Sequence, residues 1–391
     1  MVAGSLVGAF GAYLFQVYGG RALGPEAFAP ISVLWTVFFI LATILMVPIE
    51  QYVTREVTSG RKALPHDLFP AAAMAGVGVF VGGGFVYFTL DRLFEGSWQY
   101  VAQISLLMIG YALLFVGRGV LAGTRRFAEI GWLMIIETVV RLAAGVIAIQ
   151  MVASAESLGW AMVLGGFAVL GMRWWRYDTG DSRERAAPAP RFLGGYVGAT
   201  VSSQVLLGSA PIAVAALGAG PALVSITFVT FTLFRAPLTL IYALQGRVLP
   251  YLVGLAGRQD HEALARIAKK VVAGGAALAA VGGLVGWLVG PAVVTILFGE
   301  EFAPQALVAA LAAAGVMAAA AAQVAGQVLV AEARTSRLAL AWLGGLLGGI
   351  VALLLLSGDP DVRVAGAFAI GEFIALGLMA LLAVRRQGSV E

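Results

Sequence analysis

The sequence predicts an all-α polytopic membrane protein with about twelve transmembrane helices in two six-helix lobes. Three observations carry this expectation. Of the 391 residues, 60% are hydrophobic and only 12% are charged. A water-soluble domain must keep its outside polar and cannot bury so large an apolar share. The apolar residues also come in stretches of about 20, the length that crosses roughly 30 Å of hydrocarbon. Finally, the positive charges alternate between gaps. Of 25 Lys and Arg, 20 fall in or at the edge of the even-numbered gaps or behind the last stretch, three in odd-numbered gaps and two deep inside stretches. Positive charge marks the cytoplasmic side of a membrane. An even number of crossings with both termini in the cytoplasm is therefore expected.

Taken in order, the first spans are expected at 2–18 and 31–51, joined by a gap with Gly24-Pro25 and only Arg21. Arg55, Arg61 and Lys62 mark the second gap as cytoplasmic, and the third span follows at 68–90. The third gap holds only Arg92, and the fourth span covers 100–121. Arg118, Arg125 and Arg126 mark the next cytoplasmic gap, ahead of a span at 130–153. The fifth gap, near Glu156, has no positive charge and leads to a span at 158–175. Five arginines then surround Pro188 and Pro190, as suits a cytoplasmic linker. The expected domains are an N-terminal six-helix lobe (1–176), a linker (177–191) and a C-terminal six-helix lobe (192–391).

In the second lobe, spans are expected at 192–216, 222–244, 271–288, 305–330, 338–356 and 364–384. Arg247, Arg258, Arg266, Lys269 and Lys270 mark the eighth gap. Glu300 and Glu301 make the ninth acidic, while Arg334 and Arg337 mark the tenth. Arg363 stands beside Asp359 and Asp361 in the eleventh, and Arg385 and Arg386 close the chain. Residues 260–270 alternate charged and apolar side chains at helical spacing, which predicts a helix lying in the cytoplasmic interface. Trp98, Tyr100, Trp174 and Trp175 fit an interfacial aromatic belt. Leu93-Phe94 and Leu297-Phe298 each precede an acidic outer gap, so a weak parallel repeat of six spans is expected. The apolar start lacks the basic region and cleavage site of a secretory leader, and a native start further upstream is expected.

Charges inside hydrocarbon cost at least a few kcal/mol, so each needs a reason. Glu137 and Arg141 lie four apart on one helix face and can pair, as a structural unit or at a cavity that receives an anion. Arg235 has no carboxylate within a turn, and the nearby Pro237 interrupts the helical hydrogen bonding and predicts a kink. A guanidinium there requires water, a distant acid or a ligand. Gln204, Gln323 and Gln327 suit helix–helix hydrogen bonds, with Gln204 counted among the cavity residues. Glu50 and Arg55 end the second span as interfacial anchors or a gate. Glu372 stands in the last span as a candidate proton carrier, and His66 and His261 are expected in water.

Several classes lack their residues. The chain has no Cys, no phosphate-binding loop ending in Lys-Ser/Thr, and no cluster with metal-ligand spacing. No cofactor, metal or catalytic residue is expected, and no nucleic-acid partner. An enzyme is not expected.

Gly20-Arg21-Ala22-Leu23-Gly24-Pro25-Glu26-Ala27-Phe28 resembles the first outer loop of polysaccharide exporters in the MOP superfamily. Gly117-Arg118-Gly119-Val120-Leu121-Ala122-Gly123 with Arg126-Phe127, and Leu297-Phe298-Gly299 with Phe302, extend the likeness. The resemblance implies a MATE-like fold and a Wzx-like flippase in a bacterial cytoplasmic membrane. Such a protein moves a polyprenyl-pyrophosphate-linked oligosaccharide by alternating access, beside glycan-assembly enzymes of the same pathway. It implies that Arg141 and Arg235 meet the pyrophosphate. Two departures stand out. Ala29 replaces a frequent Gly, and Ser209-Ala210-Pro211 stands where relatives often carry an Asp.

The first rival is a proton- or sodium-coupled multidrug antiporter on the same fold, with Glu137, Glu50 and Glu372 as its acids. The second is a membrane-embedded glycan polymerase or transferase, which usually needs a long outer loop that this chain lacks. A major-facilitator transporter would carry Gly-x-x-x-Asp-Arg, which is missing from 55–67.

Overall fold

The computed structural model describes residues 2–58, 69–176 and 190–384. Positions 59–68, 177–189 and 385–391 lie outside the described residues, and with them His66, Arg61, Lys62, Arg183, Arg185 and nearly all of the expected linker. The side chains of Arg191 and Arg247 lie outside them as well. The described chain is helical with no strand.

The helices are α1 (Val2–Leu41), α2 (Val47–Thr58), α3 (Phe69–Phe88), the short α4 (Leu90–Leu93), α5 (Gln99–Gly123), α6 (Phe127–Met151) and α7 (Ala155–Phe167). They continue as α8 (Pro190–Gly208), α9 (Ala210–Ala216), α10 (Pro221–Phe234), α11 (Ala236–Gly257) and α12 (His261–Phe298). The last three are α13 (Ala306–Ala331), α14 (Thr335–Leu355) and α15 (Pro360–Val384). Among the described residues, ten helical stretches are long and apolar enough to cross a membrane, or eleven when the bent pair α8–α9 counts as one crossing.

One of these stretches, Leu6–Thr58, is 53 residues long. At 1.5 Å per residue that is about 80 Å, more than twice the hydrocarbon thickness. It holds the first two expected spans, and Gly24 breaks it with φ 74° and ψ 169°. Only glycine adopts that backbone without strain, and Pro25 suits the start of the next helix. Split at Gly24, the count becomes the expected twelve. The first gap is thus a sharp break between helices and not an open loop.

Several boundaries differ from expectation, each for a local reason. The interfacial helix expected over 260–270 is the first three turns of α12, with Asp260 accepting a hydrogen bond from the Ala263 amide at 2.9 Å. The apolar periodicity continues unbroken past Lys270, so nothing stops the helix. The seventh expected span bends by 63° between α8 and α9. Pro211 has no N–H to give Leu207, and the chain turns at Ser209. Ala42–Met46 forms a π-turn ahead of Pro48, which likewise cannot donate to Ile44. The belt is only half realised. Trp98 and Trp175 are exposed, whereas Tyr100 and Trp174 are buried.

The chain divides into two compact units. The first comprises Met1–Ala189 with Gly220–Ser225, the second Pro190–Ala219 with Ile226–Glu391. In the first, α1 packs on α6 and α7, and α5 packs on α2, α3 and α7. In the second, α13 lies against α12 and α15, and α14 against α15 and α8. Small residues permit these approaches. A Cβ on Gly286 would stand 2.6 Å from the Ala309 carbonyl oxygen and 2.8 Å from the Ala313 methyl. Each unit also seals one expected outer gap with an aromatic pair, Phe94–Tyr100 at 5.0 Å and Phe298–Phe302 at 5.7 Å between ring centres.

Candidate functional site

In the first unit, Glu137 and Arg141 sit one turn apart on α6 and form an ion pair buried in the protein. The carboxylate precedes the guanidinium by four residues, the favourable order on a helix. Tyr111 of α5 donates its hydroxyl hydrogen to Glu137 Oε1 at 2.6 Å. Arg141 Nη1 donates to the Tyr111 oxygen at 3.1 Å and to the same carboxylate oxygen. Thr138 donates to Glu137 Oε2 at 3.2 Å. The guanidinium carbon lies 5.4 Å from the Trp35 ring centre and 6.0 Å from that of Phe15, both on α1. These aromatic faces are attractive to a cation. Gly165 of α7 covers the pair, since a Cβ there would stand 2.9 Å from Arg141 Cβ. Arg141 is only 5% exposed. Four helices therefore close around one group of paired charges, in which Arg141 Nε is buried without a hydrogen bond among the described residues.

The second unit is arranged differently. Arg235 occupies the interruption between α10 and α11, with Pro237 in the first turn that follows. Its amide reaches both the Phe231 and Thr232 carbonyls at 3.2 Å, and its carbonyl accepts from the Leu238 amide at 2.9 Å. Pro237 cannot donate to Leu233, which is why the ladder fails at this point. The break in helical hydrogen bonding expected at this proline is present. Arg235 is partly exposed as a residue, but its Nε and Nη2 atoms are buried, and its guanidinium lies 5.9 Å from the Phe231 ring centre.

Glu372 sits at the middle of α15 and is 0% exposed. Neither of its carboxyl oxygens has a hydrogen-bond partner among the described residues. Arg235 is the charged side chain that acts on it electrostatically. One turn away, Phe231 and Phe368 meet edge-on at 5.1 Å. The ring contact and the electrostatic influence lie one step of four residues apart on each helix, from Phe231 to Arg235 and from Phe368 to Glu372. The two helices thus run in the same direction and pair an aromatic row with a charged row. Gly371 locks α15 against α14, because a Cβ there would stand 2.9 Å from the Gly345 carbonyl oxygen.

The remaining expected residues are placed as follows. Gln204 is buried in α8. Glu50 of α2 pairs with Arg118 of α5 at 3.1 Å, both partly exposed, and Arg55 is exposed. Gln327 donates to the Gln323 carbonyl at 3.5 Å within α13 and, among the described residues, not to another helix. His261 is half exposed but lies 3.0 Å from Glu332 Oε1, and Arg334 pairs with the other oxygen, Oε2, at 2.9 Å. Sequence reading missed Tyr111 and the Glu50–Arg118 pair. Both link residues far apart in the chain, and no local pattern announces them.

No protein-family profile matches the chain. An uncharacterized protein of Mycobacterium tuberculosis is 28% identical over 389 residues, covering 94% of this chain and 87% of the relative. Among solved structures, an inward-facing multidrug resistance MATE family transporter of the MOP superfamily aligns with a TM-score of 0.68. It is 13% identical and covers 94% of this chain and 93% of the other. A MOP superfamily transporter from Pyrococcus furiosus, whose binding pocket is described as reversed in polarity, aligns at 0.65 with 14% identity, covering 98% and 94%. The fold is that of the MATE transporters, and the chain is a multi-pass membrane protein.

Proposed function

We propose that this protein is a secondary transporter that flips a polyprenyl-pyrophosphate-linked oligosaccharide across a bacterial cytoplasmic membrane by alternating access, with both termini in the cytoplasm. The observation that carries this reading is Arg235, a partly exposed residue with buried Nε and Nη2 atoms, at a helix interruption within a membrane-spanning segment. Holding a positive charge in hydrocarbon is costly unless it serves something. A planar guanidinium takes phosphate oxygens bidentately, as a lipid pyrophosphate requires. The Arg141 group is closed on itself by Glu137 and Tyr111, so the pyrophosphate contact falls to Arg235. Gln204 is proposed as a polar contact for sugar, Glu50 with Arg118 and Arg55 as parts of a cytoplasmic gate. The likeness in fold to MATE transporters, and the lack of a phosphate-binding loop, support transport without built-in ATP hydrolysis. Glycan-assembly enzymes are the proposed partners.

The rival multidrug antiporter draws on one observation, the buried acid Glu372. Proteoliposomes separate the readings. The flippase reading expects a fluorescent polyprenyl pyrophosphate to cross, with Arg235→Ala blocking it and ethidium unmoved. Ethidium efflux without lipid crossing would establish the antiporter instead.

A further inference from the structure

The end of the sixth span has a shape that cargo transport does not require. α7 and the 3₁₀ turn that continues it, Ala168–Gly171, together rise about 27 Å, nearly the full hydrocarbon thickness. Met172 then leaves the helix in extended backbone, at φ −103° and ψ 124°, and a second short turn covers Trp174–Arg176. These last residues therefore stand at the depth of the lipid headgroups.

Packing holds the segment in place. Trp174 is buried, and its amide donates to the Met172 carbonyl at 2.9 Å. Gly117 of α5 makes the seat, since a Cβ there would stand 3.0 Å from Val169 Cγ2 and 3.2 Å from Trp174 Cδ1. The Trp175 ring meets the Trp174 ring edge-on at 5.8 Å and is 43% exposed. With Trp174 turned inward, Arg173 and Arg176 on either side of the indole pair are exposed.

Other arginines at this end of the first unit are matched with acids. Arg118 pairs with Glu50 at 3.1 Å, and Arg126 with Glu129 at 2.7 Å. Among the described residues, Arg173 and Arg176 have no such partner. Two guanidiniums and an exposed indole thus share one anchored turn at the membrane boundary, with an acceptor wanting.

We infer that Arg173, Trp175 and Arg176 form a docking site for the anionic headgroup of a membrane phospholipid. The planar guanidinium forks take phosphate oxygens bidentately. The indole lies where headgroup meets acyl chain, the depth that suits its apolar body and polar edge. A zwitterionic headgroup carries its own ammonium beside the phosphate and gains less from the two cations. The site ties the end of the first unit to a charged leaflet where the chain passes into the linker, whatever the cargo.

The test exploits the absence of cysteine from the chain. Leu170→Cys, at a position 52% exposed and just ahead of the site, carries a fluorophore. A second protein labelled at Phe80→Cys, a position 82% exposed on α3, reports ordinary lipid contact. Full-length protein is reconstituted in phosphatidylcholine vesicles with rising fractions of phosphatidylglycerol brominated near the top of its acyl chains. Brominated phosphatidylcholine is the reference. An arginine near an anionic membrane surface strengthens binding about fivefold, so half-quenching at position 170 is expected at a roughly 25-fold lower fraction of the anionic lipid. Arg173→Gln or Arg176→Gln alone should reduce that preference about fivefold, and both together should abolish it. Position 80 should show no preference in any variant. Arg173→Lys with Arg176→Lys keeps both charges and should retain most of the preference, which separates lost charge from lost folding. Equal quenching by the two lipids at position 170 of the wild type overturns the site, as does a preference that survives the double Gln variant. A preference that emerges only in Asp178→Asn with Asp181→Asn and Glu184→Gln also overturns it, by giving the arginines to the linker acids.

Discussion

The two units solve the same problem, an arginine inside a membrane, in opposite ways. In the first, Arg141 is paired with Glu137, bonded to Tyr111 and flanked by Trp35 and Phe15, on unbroken helix. In the second, Arg235 stands at a break, and the acid it faces has no hydrogen bond among the described residues. A closed group of charges holds helices together and is costly to disturb. In the second unit the arginine stands where the helical hydrogen bonding is interrupted. The contrast teaches that an intramembrane charge declares its role by how well it is satisfied, and not by its presence.

The largest effect should come from Arg235→Ala. Truncating one partner of a desolvated charge contact costs about 2–5 kcal/mol, so lipid flipping in proteoliposomes should fall about a hundredfold or more, with insertion unchanged. The next effect belongs to the first unit. Glu137→Ala or Arg141→Ala leaves a buried charge uncompensated and should destabilise by about 3–5 kcal/mol, read as a lowered midpoint of thermal unfolding in detergent. Replacing both, Glu137→Leu with Arg141→Met, should recover most of that loss. If the single variants unfold no more easily than the wild type, the contrast between the units disappears.

Smaller effects sharpen the same picture. Gly286→Ala forces α12 away from the Ala309 carbonyl and should cost about 1–3 kcal/mol. Tyr111→Phe removes a bridging hydroxyl and should cost about 1 kcal/mol or somewhat more, because its partner is charged. Breaking the partly exposed Glu50–Arg118 pair should cost less than about 1 kcal/mol. Each is read by the same thermal unfolding measurement.

The helical class and the near-twelvefold crossing were legible because hydrocarbon imposes a length and a composition on every span. The interruption at Arg235-Ala236-Pro237 was legible because proline lacks a donor wherever it stands. The ion pair of Glu137 and Arg141 followed from their spacing on one turn. Tyr111 was not legible, since it meets them from 26 and 30 residues away. Nor was the isolation of Glu372, which depends on what five neighbouring helices fail to offer it. The helix over 260–270 was legible from its charge alternation, but its continuity into the span of α12 was not, because charge alternation at a helix start looks the same whether or not an apolar stretch follows.

The measurement that bears most directly on this account compares two proteins in the same flipping assay, Arg235→Ala and the double variant Glu137→Leu with Arg141→Met. The account predicts that the first inserts but moves no lipid pyrophosphate, while the second still moves it. Loss of movement in the double variant, with movement retained in Arg235→Ala, would contradict it.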